Sequence, residues 1–541
     1  MKKGQIFEIK IEDMTDEGAG IGKADGYPLF VKDAVPGDVI RAELIKDKKT
    51  YGYGRLLEVC EASPDRIVPK CPIARPCGGC QLQALSYEAQ LVFKENKVKA
   101  ALKRIGGVTF DETEPVISMK DPWHYRNKAE YPVRKGKDGR ILIGFYAGRT
   151  HSVIECENCL IGQEADAQVL GAVKRWMNEF GIEPYDEEAG TGTVRHVVIR
   201  TSFASGEQMV CLVVNTKKLP FANELSRLLP KTVTSFSYSV NLKKTNVIMG
   251  DRTVPVFGEA FLEDVICGVR YRISPRAFYQ VNPAQTEKLY AKALEYAGLS
   301  GNETVWDLYC GIGTISLIMA KKAKKVYGVE IIPEAVKNAQ ENAVLNDINN
   351  AEFFTGRAED VLPEHFAKTG EKADVIVVDP PRKGCDGSLL HTIALMAPKR
   401  LVYVSCNPAT LARDVSIMRE FGYEVKKVQP VDMFPWTGHV ETVCLLSQRK
   451  PDTTIEVDLD ISELEVSSAE TKATYEEIKS YVLKKFGLKV SNLYIAQVKR
   501  ECGIVERINY NLPKTEGNRV PQCPEDKRKA IKDAFIHFQM I

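Results

Sequence analysis

The stretch Val305–Ala320, VWDLYCGIGTISLIMA, decides how the second half of the chain folds. A short apolar run ends at Asp307-Leu308-Tyr309, glycines follow at 311 and 313, and an apolar helical segment begins at once. Glycines placed there let the backbone turn tightly and approach a ligand closely. The same rhythm continues outward: KKVYGVEI, AEFFTG, ADVIVVDPP and RLVYVSCNP are short apolar runs separated by helical segments. Such alternation gives a parallel sheet covered by helices.

The run after the glycine turn ends in Glu330. An acid at the end of the second strand can accept both hydroxyls of a ribose. The turn reads Gly-Ile-Gly-Thr and lacks the third glycine of a pyrophosphate fingerprint. A ligand with a ribose but no phosphate fits it better, and S-adenosylmethionine is such a ligand. An ordinary Rossmann-like turn with a surface glutamate is the plainer alternative. Asp379 ends a fourth strand, on the carboxyl edge where open α/β sheets bind ligands. Pro380 and Pro381 stop that strand, and Arg382 stands where amino-methyltransferases carry an aromatic residue, which argues against an amino acceptor.

Cys406 ends the next strand, on the same edge, and Asn407-Pro408 turns the chain away. A thiolate is a strong soft nucleophile. C5 of uracil is a poor nucleophile until a thiolate adds to C6, after which C5 can attack a sulfonium methyl. A base must then take the C5 proton so that the thiol can leave. Glu441, opening the final apolar strand, supplies a carboxylate whose pKa burial would raise. His439 beside it reads equally as an enolate stabiliser or as a satisfied strand-end histidine, and Cys406 taken alone reads as a small buried hydrophobe.

The whole chain has 541 residues and net charge +2, so about three to five domains are expected, and any nucleic-acid surface must be local. No apolar run is long enough to span a membrane, and the N-terminus lacks an apolar signal core. A cytoplasmic protein with no membrane partner, and a monomer, is expected. Fourteen cysteines in that compartment suggest metal ligation or thiol chemistry rather than disulfides.

Residues 1–59 read as a small β-barrel of short strands (QIFEIKIEDM, YPLFVKDA, DVIRAELI, YGYGRLLEV) with glycines between them. Its tips carry Lys23, Lys46, Lys48, Lys49 and Arg55 with Tyr51 and Tyr53, which suits RNA as well as it suits a solvated surface. Residues 60–275 hold a cysteine cluster, a helix from Tyr87 to Arg104 and a mostly antiparallel sheet, and residues 276–450 are the parallel-sheet domain. Residues 451–478 read as an acidic linker and 479–541 as a small basic helical module, equally an RNA contact or a surface helix pair. In the central domain Trp123, His124, Tyr125, Arg126, Asn127, Lys128 and Tyr131, with Phe145, Tyr146 and Arg149, form the group best suited to stack and hold splayed RNA bases.

Cys71, Cys77 and Cys80 are spaced C-x5-C-x2-C, and either Cys156 or Cys159 can supply a remote fourth ligand. Four thiolates suit zinc or an iron–sulfur cluster, and spacing alone leaves both open. The C-x3-C-x2-C signature of radical S-adenosylmethionine chemistry is absent.

Together QVNPAQTEKLY, DLYCGIGTISL, VDPPRKG, SCNPATLARD and HVETV, in that order, resemble the RNA uracil-C5 methyltransferases, nearest the bacterial enzymes acting on large-subunit (23S) ribosomal RNA. The resemblance runs from residue 1 to about 450. It implies a multidomain α/β fold: an OB-like TRAM barrel, the central β domain and a Rossmann-like methyltransferase domain; the helical module lies outside the family's shared core, and the resemblance implies nothing about it. It implies that Gln280, Tyr309, Glu330 and Asp379 contact S-adenosylmethionine, that Cys406 is the nucleophile and that Glu441 is the proton acceptor. It also implies a [4Fe-4S] cluster on Cys71, Cys77, Cys80 and Cys159, structural rather than redox-active. The expected product is 5-methyluridine in ribosomal RNA. A transfer-RNA uridine methyltransferase and a non-catalytic ribosomal RNA-binding assembly factor are the alternatives.

Overall fold

The computed structural model describes residues 2–108, 113–148, 150–449, 475–502 and 523–538. They belong to two compact units, Met1–Lys450 and Pro451–Ile541.

The first unit opens with β1 (Ile6–Met14), β2 (Ala19–Ala24), β3 (Tyr27–Lys32), β4 (Val39–Asp47) and β5 (Gly52–Glu61), closed into a barrel in the order β1-β2-β3-β5-β4. Alternate residues, among them Ile9, Ile11, Leu29, Val31, Ile40 and Leu44, fill its interior. The sequence marks four of these strands and reads β2, Ala-Gly-Ile-Gly-Lys-Ala, as punctuation. That strand needs its glycines. A Cβ on Gly20 would stand 2.7 Å from the Ala34 carbonyl oxygen, and one on Gly22 2.6 Å from that of Lys10.

Next come β6 (Lys128–Lys135), β7 (Ile141–Tyr146), β8 (Val153–Glu155), β9 (Val194–Thr201), β10 (Gln208–Val214), β11 (Val233–Val240) and β12 (Arg252–Phe257), a seven-stranded sheet ordered β12-β11-β10-β9-β6-β7-β8. As expected it is mostly antiparallel, and only β10 and β11 run parallel. Helix Asp166–Glu179 packs Val169, Val173, Trp176 and Met177 on it. A hairpin of β13 (Leu262–Ile266) and β14 (Val269–Ile273) leads onward.

The third sheet holds β15 (Thr304–Asp307), β16 (Lys325–Glu330), β17 (Ala351–Thr355), β18 (Val375–Val378), β19 (Arg400–Ser405), β20 (Tyr423–Val431) and β21 (Glu441–Gln448), ordered β17-β16-β15-β18-β19-β21-β20. Five strands pair parallel, and β21 is wedged antiparallel between β19 and β20. The strand order reverses between β15 and β18, which opens a crevice at the carboxyl edge. Gly313, at φ 85°, ends the turn after β15 and starts helix Thr314–Ala320. Both glycine and backbone angle agree, since a side chain is strained there.

In the second unit, helices Tyr475–Phe486, Asn492–Glu501 and Glu525–His537 enclose Ile478, Val482, Ile495, Val498, Ile531 and Phe535. The acidic linker expected over 451–478 lies outside the described residues up to 474, and its last four residues already belong to the first of these helices. Among the described residues no helix is long and apolar enough to cross a membrane.

Candidate active site and cysteine cavity

One face of the third sheet is marked by Val305, Val326, Val377, Val404 and Val443, which share a single apolar core. Side chains alternate along a strand. Asp307, Glu330, Asp379, Cys406 and Glu441 each lie an even number of residues from these valines, so they take the same face. All five stand at one edge, because β21 begins where the parallel strands end.

Register joins two of them. Ser405 pairs with Thr442 across the antiparallel β19–β21 pair, so the next residue, Cys406, comes opposite Glu441. Residues so placed have Cβ atoms about 4.5–5.5 Å apart. Asn407-Pro408 does more than stop the strand. Asn407 caps helix Pro408–Glu420, its Oδ1 accepting from the Ala409 N–H at 3.0 Å, and Pro408 opens the helix. Asn407 Nδ2 also donates to the Arg382 carbonyl at 3.3 Å, and Arg413 donates to that of Lys383 at 3.0 Å. The Asp-Pro-Pro-Arg loop and the Ser-Cys-Asn-Pro turn are therefore built as one piece.

Burial dominates the electrostatics of this edge. Burial and then Asp379 push the Glu441 carboxyl up to about 8, against the pull of Arg382. Burial and Asp307 push Asp379 up to about 7. Asp307 is raised by burial to about 6 although Ser316 Oγ donates to it at 2.6 Å. The Cys406 thiol, half-buried, is pushed up to about 11 by desolvation, Glu441 and Asp379, while Arg382 opposes. Two buried carboxyls, Asp307 and Glu441, with the half-buried Asp379 and the thiol, thus share a crevice that favours an incoming positive charge. Glu330 sits at its mouth, its two oxygens accepting from the Gly311 N–H at 3.3 Å and the Ile332 N–H at 3.0 Å.

The remaining expected residues are placed differently. Gln280 is buried, and its carbonyl accepts from Asn127 Nδ2 at 3.0 Å, which ties it to the central sheet. Tyr309 is half-buried and packs with the core on the opposite face of the parallel sheet. His439 is half-buried, and burial with the charges of Arg382 and Lys97 lowers its pKa. Two participants escape the sequence reading. Asp307 ends the first strand and reads there merely as part of a strand–turn boundary. Tyr290, in helix Pro283–Ala297, is not singled out by the sequence, yet it feels Asp379, Asp307 and Glu441 and stands 3.3 Å from Thr314 Oγ1.

The aromatic group expected at the RNA divides. Tyr125 and Tyr131 are buried at 1% exposure, their hydroxyls donating to the Pro435 carbonyl and to Asp166, and Asn127 is buried too. Those three are structural. Trp123 stacks on Trp436 with centroids 4.4 Å apart. Arg149 lies outside the described residues. Phe278, two residues before Gln280, is 75% exposed and was not singled out from the sequence. On the barrel Phe30, Tyr51 and Tyr53 cluster within 5.4–5.9 Å of one another.

All five cysteines of the expected cluster region, Cys71, Cys77, Cys80, Cys156 and Cys159, line one cavity of about 440 Å³. Burial pushes the Cys80 thiol up to about 12 and raises those of Cys71 and Cys77. Cys156 and Cys159 stand close enough to share a proton, which lowers the Cys159 thiol and raises that of Cys156. The donor set suits a thiolate-held group, but among the described residues no three His, Cys, Asp or Glu side chains converge closely enough to hold a metal ion.

Comparison with known proteins points the same way for the reaction class. A family model described as tRNA (Uracil-5-)-methyltransferase matches residues 259–449, and a TRAM domain model matches residues 1–57. An uncharacterized RNA methyltransferase of Halalkalibacterium halodurans is 51% identical over 449 residues, 82% of this chain and 98% of that relative. Another, from Clostridium acetobutylicum, is 50% identical over 456 residues, 83% of this chain and 98% of the relative. The crystal structure of Pyrococcus abyssi tRNA (uracil-54, C5)-methyltransferase in complex with S-adenosyl-L-homocysteine matches with a TM-score of 0.68 at 28% identity, covering 81% of this chain and 99% of that one.

Proposed function

This chain belongs to the RNA uracil-5-methyltransferase family, and from that premise we propose that it methylates C5 of a uridine in large-subunit ribosomal RNA, with S-adenosylmethionine as donor. The observation that carries the reading is the meeting of Cys406 and Glu441 at an acid-lined sheet edge.

Cys406 gives its proton to water and its sulfur adds to C6, which places the electron pair of the C5–C6 double bond on C5 and O4. C5 then bonds to the donor's methyl carbon as the carbon–sulfonium bond breaks, leaving a neutral thioether. Glu441 takes the C5 proton, the C5–C6 double bond re-forms, and the C6–S bond breaks to return the thiolate. A carboxyl held near 8 is well matched to that proton. The raised Cys406 thiol needs help to ionise, and the donor's sulfonium charge beside it supplies some. Gln280, Tyr309, Glu330 and Asp379 hold the donor, with Glu330 placed at the glycine turn for the ribose hydroxyls.

A [4Fe-4S] cluster on Cys71, Cys77, Cys80 and Cys159 fits the shared cavity. A cluster occupies space between its ligands, so its thiolates stand further apart than those around one ion. When bound it would clamp residues 71–80 to residue 159, and no step of the transfer needs its electrons. In this reading the barrel (1–59) and the central domain (60–275) hold RNA, 276–450 carries the chemistry, and the protein works as a cytoplasmic monomer.

Transfer RNA is the second reading, favoured by the Pyrococcus abyssi relative. That match covers 81% of this chain, too much to be the methyltransferase domain alone, so possession of upstream domains does not separate the two substrates. Mass-spectrometric mapping of 5-methyluridine in ribosomal and transfer RNA, from cells with and without the protein, does. Loss of the modification from 23S ribosomal RNA alone is expected. Loss from transfer RNA alone would move the substrate, and unchanged uridines in both would overturn the reading.

A further inference from the structure

Residues Asp432–Gly438 join β20 to β21 and end three positions before Glu441. Loops usually leave their backbone to water. This one does not. The carbonyl of Asp432 accepts from Gln285 Nε2 (3.0 Å), Met433 from Asn282 Nδ2 (2.9 Å) and Phe434 from Lys94 Nζ (3.0 Å). That of Pro435 accepts from the Tyr125 hydroxyl (3.1 Å), Trp436 from the Leu82 N–H (2.9 Å) and Gly438 from Lys97 Nζ (2.9 Å). The Asp432 carboxylate is fully buried, paired with the equally buried Lys94, and accepts from the Tyr87 hydroxyl at 2.7 Å.

Two residues of the loop are under constraint. Trp436 has φ 66°, a region that bulky residues avoid and keep only when their surroundings over-determine it. Here its N–H donates to Gln90 Oε1 at 3.0 Å, its indole Nε1–H to the Pro122 carbonyl at 2.9 Å, and its ring stacks on Trp123. Gly438 is pressed by the barrel: a Cβ there would stand 2.0 Å from the carbonyl oxygen of Asp16, in the turn between β1 and β2. Asp16 also pairs with Lys97 at 3.1 Å. The loop is thus where the barrel, the segment following Cys80 and the helix following Gln280 all meet the chain that leads into Glu441.

We propose that Trp436 and Gly438 are positioning residues, which set Glu441 against Cys406 by seating the barrel turn and the Trp123 segment on this loop. The inference rests on the covalent route given above. It makes removal of the C5 proton, rather than RNA or donor binding, the step that depends on the barrel's seat. A misplacement near 1 Å costs about 10²-fold when a group must meet a reacting atom.

The test uses the full chain with Trp436→Ala, Trp436→Phe, Gly438→Ala and Glu441→Gln. Donor affinity and KM for RNA should stay within about twofold, while kcat falls about 10- to 100-fold in Trp436→Ala and Gly438→Ala. Both should accumulate a denaturation-stable protein–RNA adduct, as Glu441→Gln should, because methyl transfer now outruns proton removal. Trp436→Phe, which keeps a stacking ring, should recover most of the rate and lose the adduct. Should Trp436→Ala fail to fold, Gly438→Ala and Trp436→Phe carry the comparison. Variants that turn over normally, or that lose RNA affinity without accumulating adduct while Glu441→Gln does accumulate it, overturn the proposal. If Glu441→Gln itself forms no adduct, the covalent route falls and this inference falls with it.

Discussion

The sheet edge and the cysteine cavity each gather reactive side chains, and they do so by opposite means. At the edge, Asp307, Asp379, Cys406 and Glu441 are placed by strand alternation and by the β19–β21 register. Around the cavity, Cys71, Cys77, Cys80, Cys156 and Cys159 come from irregular segments, tied to regular structure by a bridge from Cys77 to Ala147 and by the Cys156 N–H donating to the Ile143 carbonyl. The first arrangement is fixed by hydrogen bonds that exist with or without a ligand. The second has little of its own to hold thiols whose free thiolates burial disfavours. The edge is therefore preorganised by the fold, whereas the cavity would depend on the proposed cluster.

The largest effect falls on the edge. Cys406→Ala should lower methylation by about 10⁴-fold or more, as losing a nucleophile does elsewhere. Its donor affinity should stay within about twofold and its unfolding midpoint should stay close to that of the parent, since no register bond involves the thiol. A tritiated-methyl assay, equilibrium dialysis and urea unfolding check the three. Near-normal methylation would remove the covalent route, and a large loss of stability would show that the thiol itself helps to hold the edge together.

The cavity should behave the other way. Cys159→Ser is expected to lose most bound iron and to melt earlier, since a group that ties two irregular segments contributes to folding directly. Cys156→Ser should keep its iron, because the proposed cluster takes Cys159 as its fourth ligand and leaves Cys156 out. Iron and sulfide analysis with thermal unfolding of both variants decides. Iron retained in Cys159→Ser and lost in Cys156→Ser would exchange their roles. Iron lost in neither would leave the cavity without a cluster.

Much of the edge was legible in the sequence because period-two alternation and strand ends are local signals: Glu330, Asp379 and Cys406 each close an apolar run. The meeting of Cys406 with Glu441 was less so, since it depends on β21 entering antiparallel beside β19, a long-range pairing that neither segment announces. Tyr290 carries no local signal, since its proximity to the strand-end acids depends on how helix Pro283–Ala297 packs on the sheet. Strand β2 was hidden for the opposite reason, its glycines being a packing demand of the barrel rather than a break. The buried Tyr125 and Tyr131 show the limit of composition: an aromatic, basic stretch can still place its tyrosines in its own core.

The smallest expected effect is a slope, and it tests preorganisation without any substrate. In the donor-free protein Glu441 holds its proton up to about pH 8, whereas in the unfolded chain it gives the proton up near an ordinary carboxyl pKa. Between roughly pH 4.5 and 8 the folded state therefore binds more protons than the unfolded one, and stability falls as pH rises through that window. Each such group contributes at most about 1.4 kcal/mol per pH unit. Asp379 and Asp307 add to the slope in its lower part, being raised to about 7 and about 6. The difference between the parent and Glu441→Gln isolates one group and cancels the cysteines. From pH 6 to 8 the parent should lose about 1 kcal/mol or more relative to the variant in urea unfolding, and saturating donor should shrink that loss, since a sulfonium beside the carboxyls favours their charged forms. Parallel curves for parent and variant would mean that Glu441 is not held dry and uncompensated at the edge, and the contrast with the cavity would then rest on register alone.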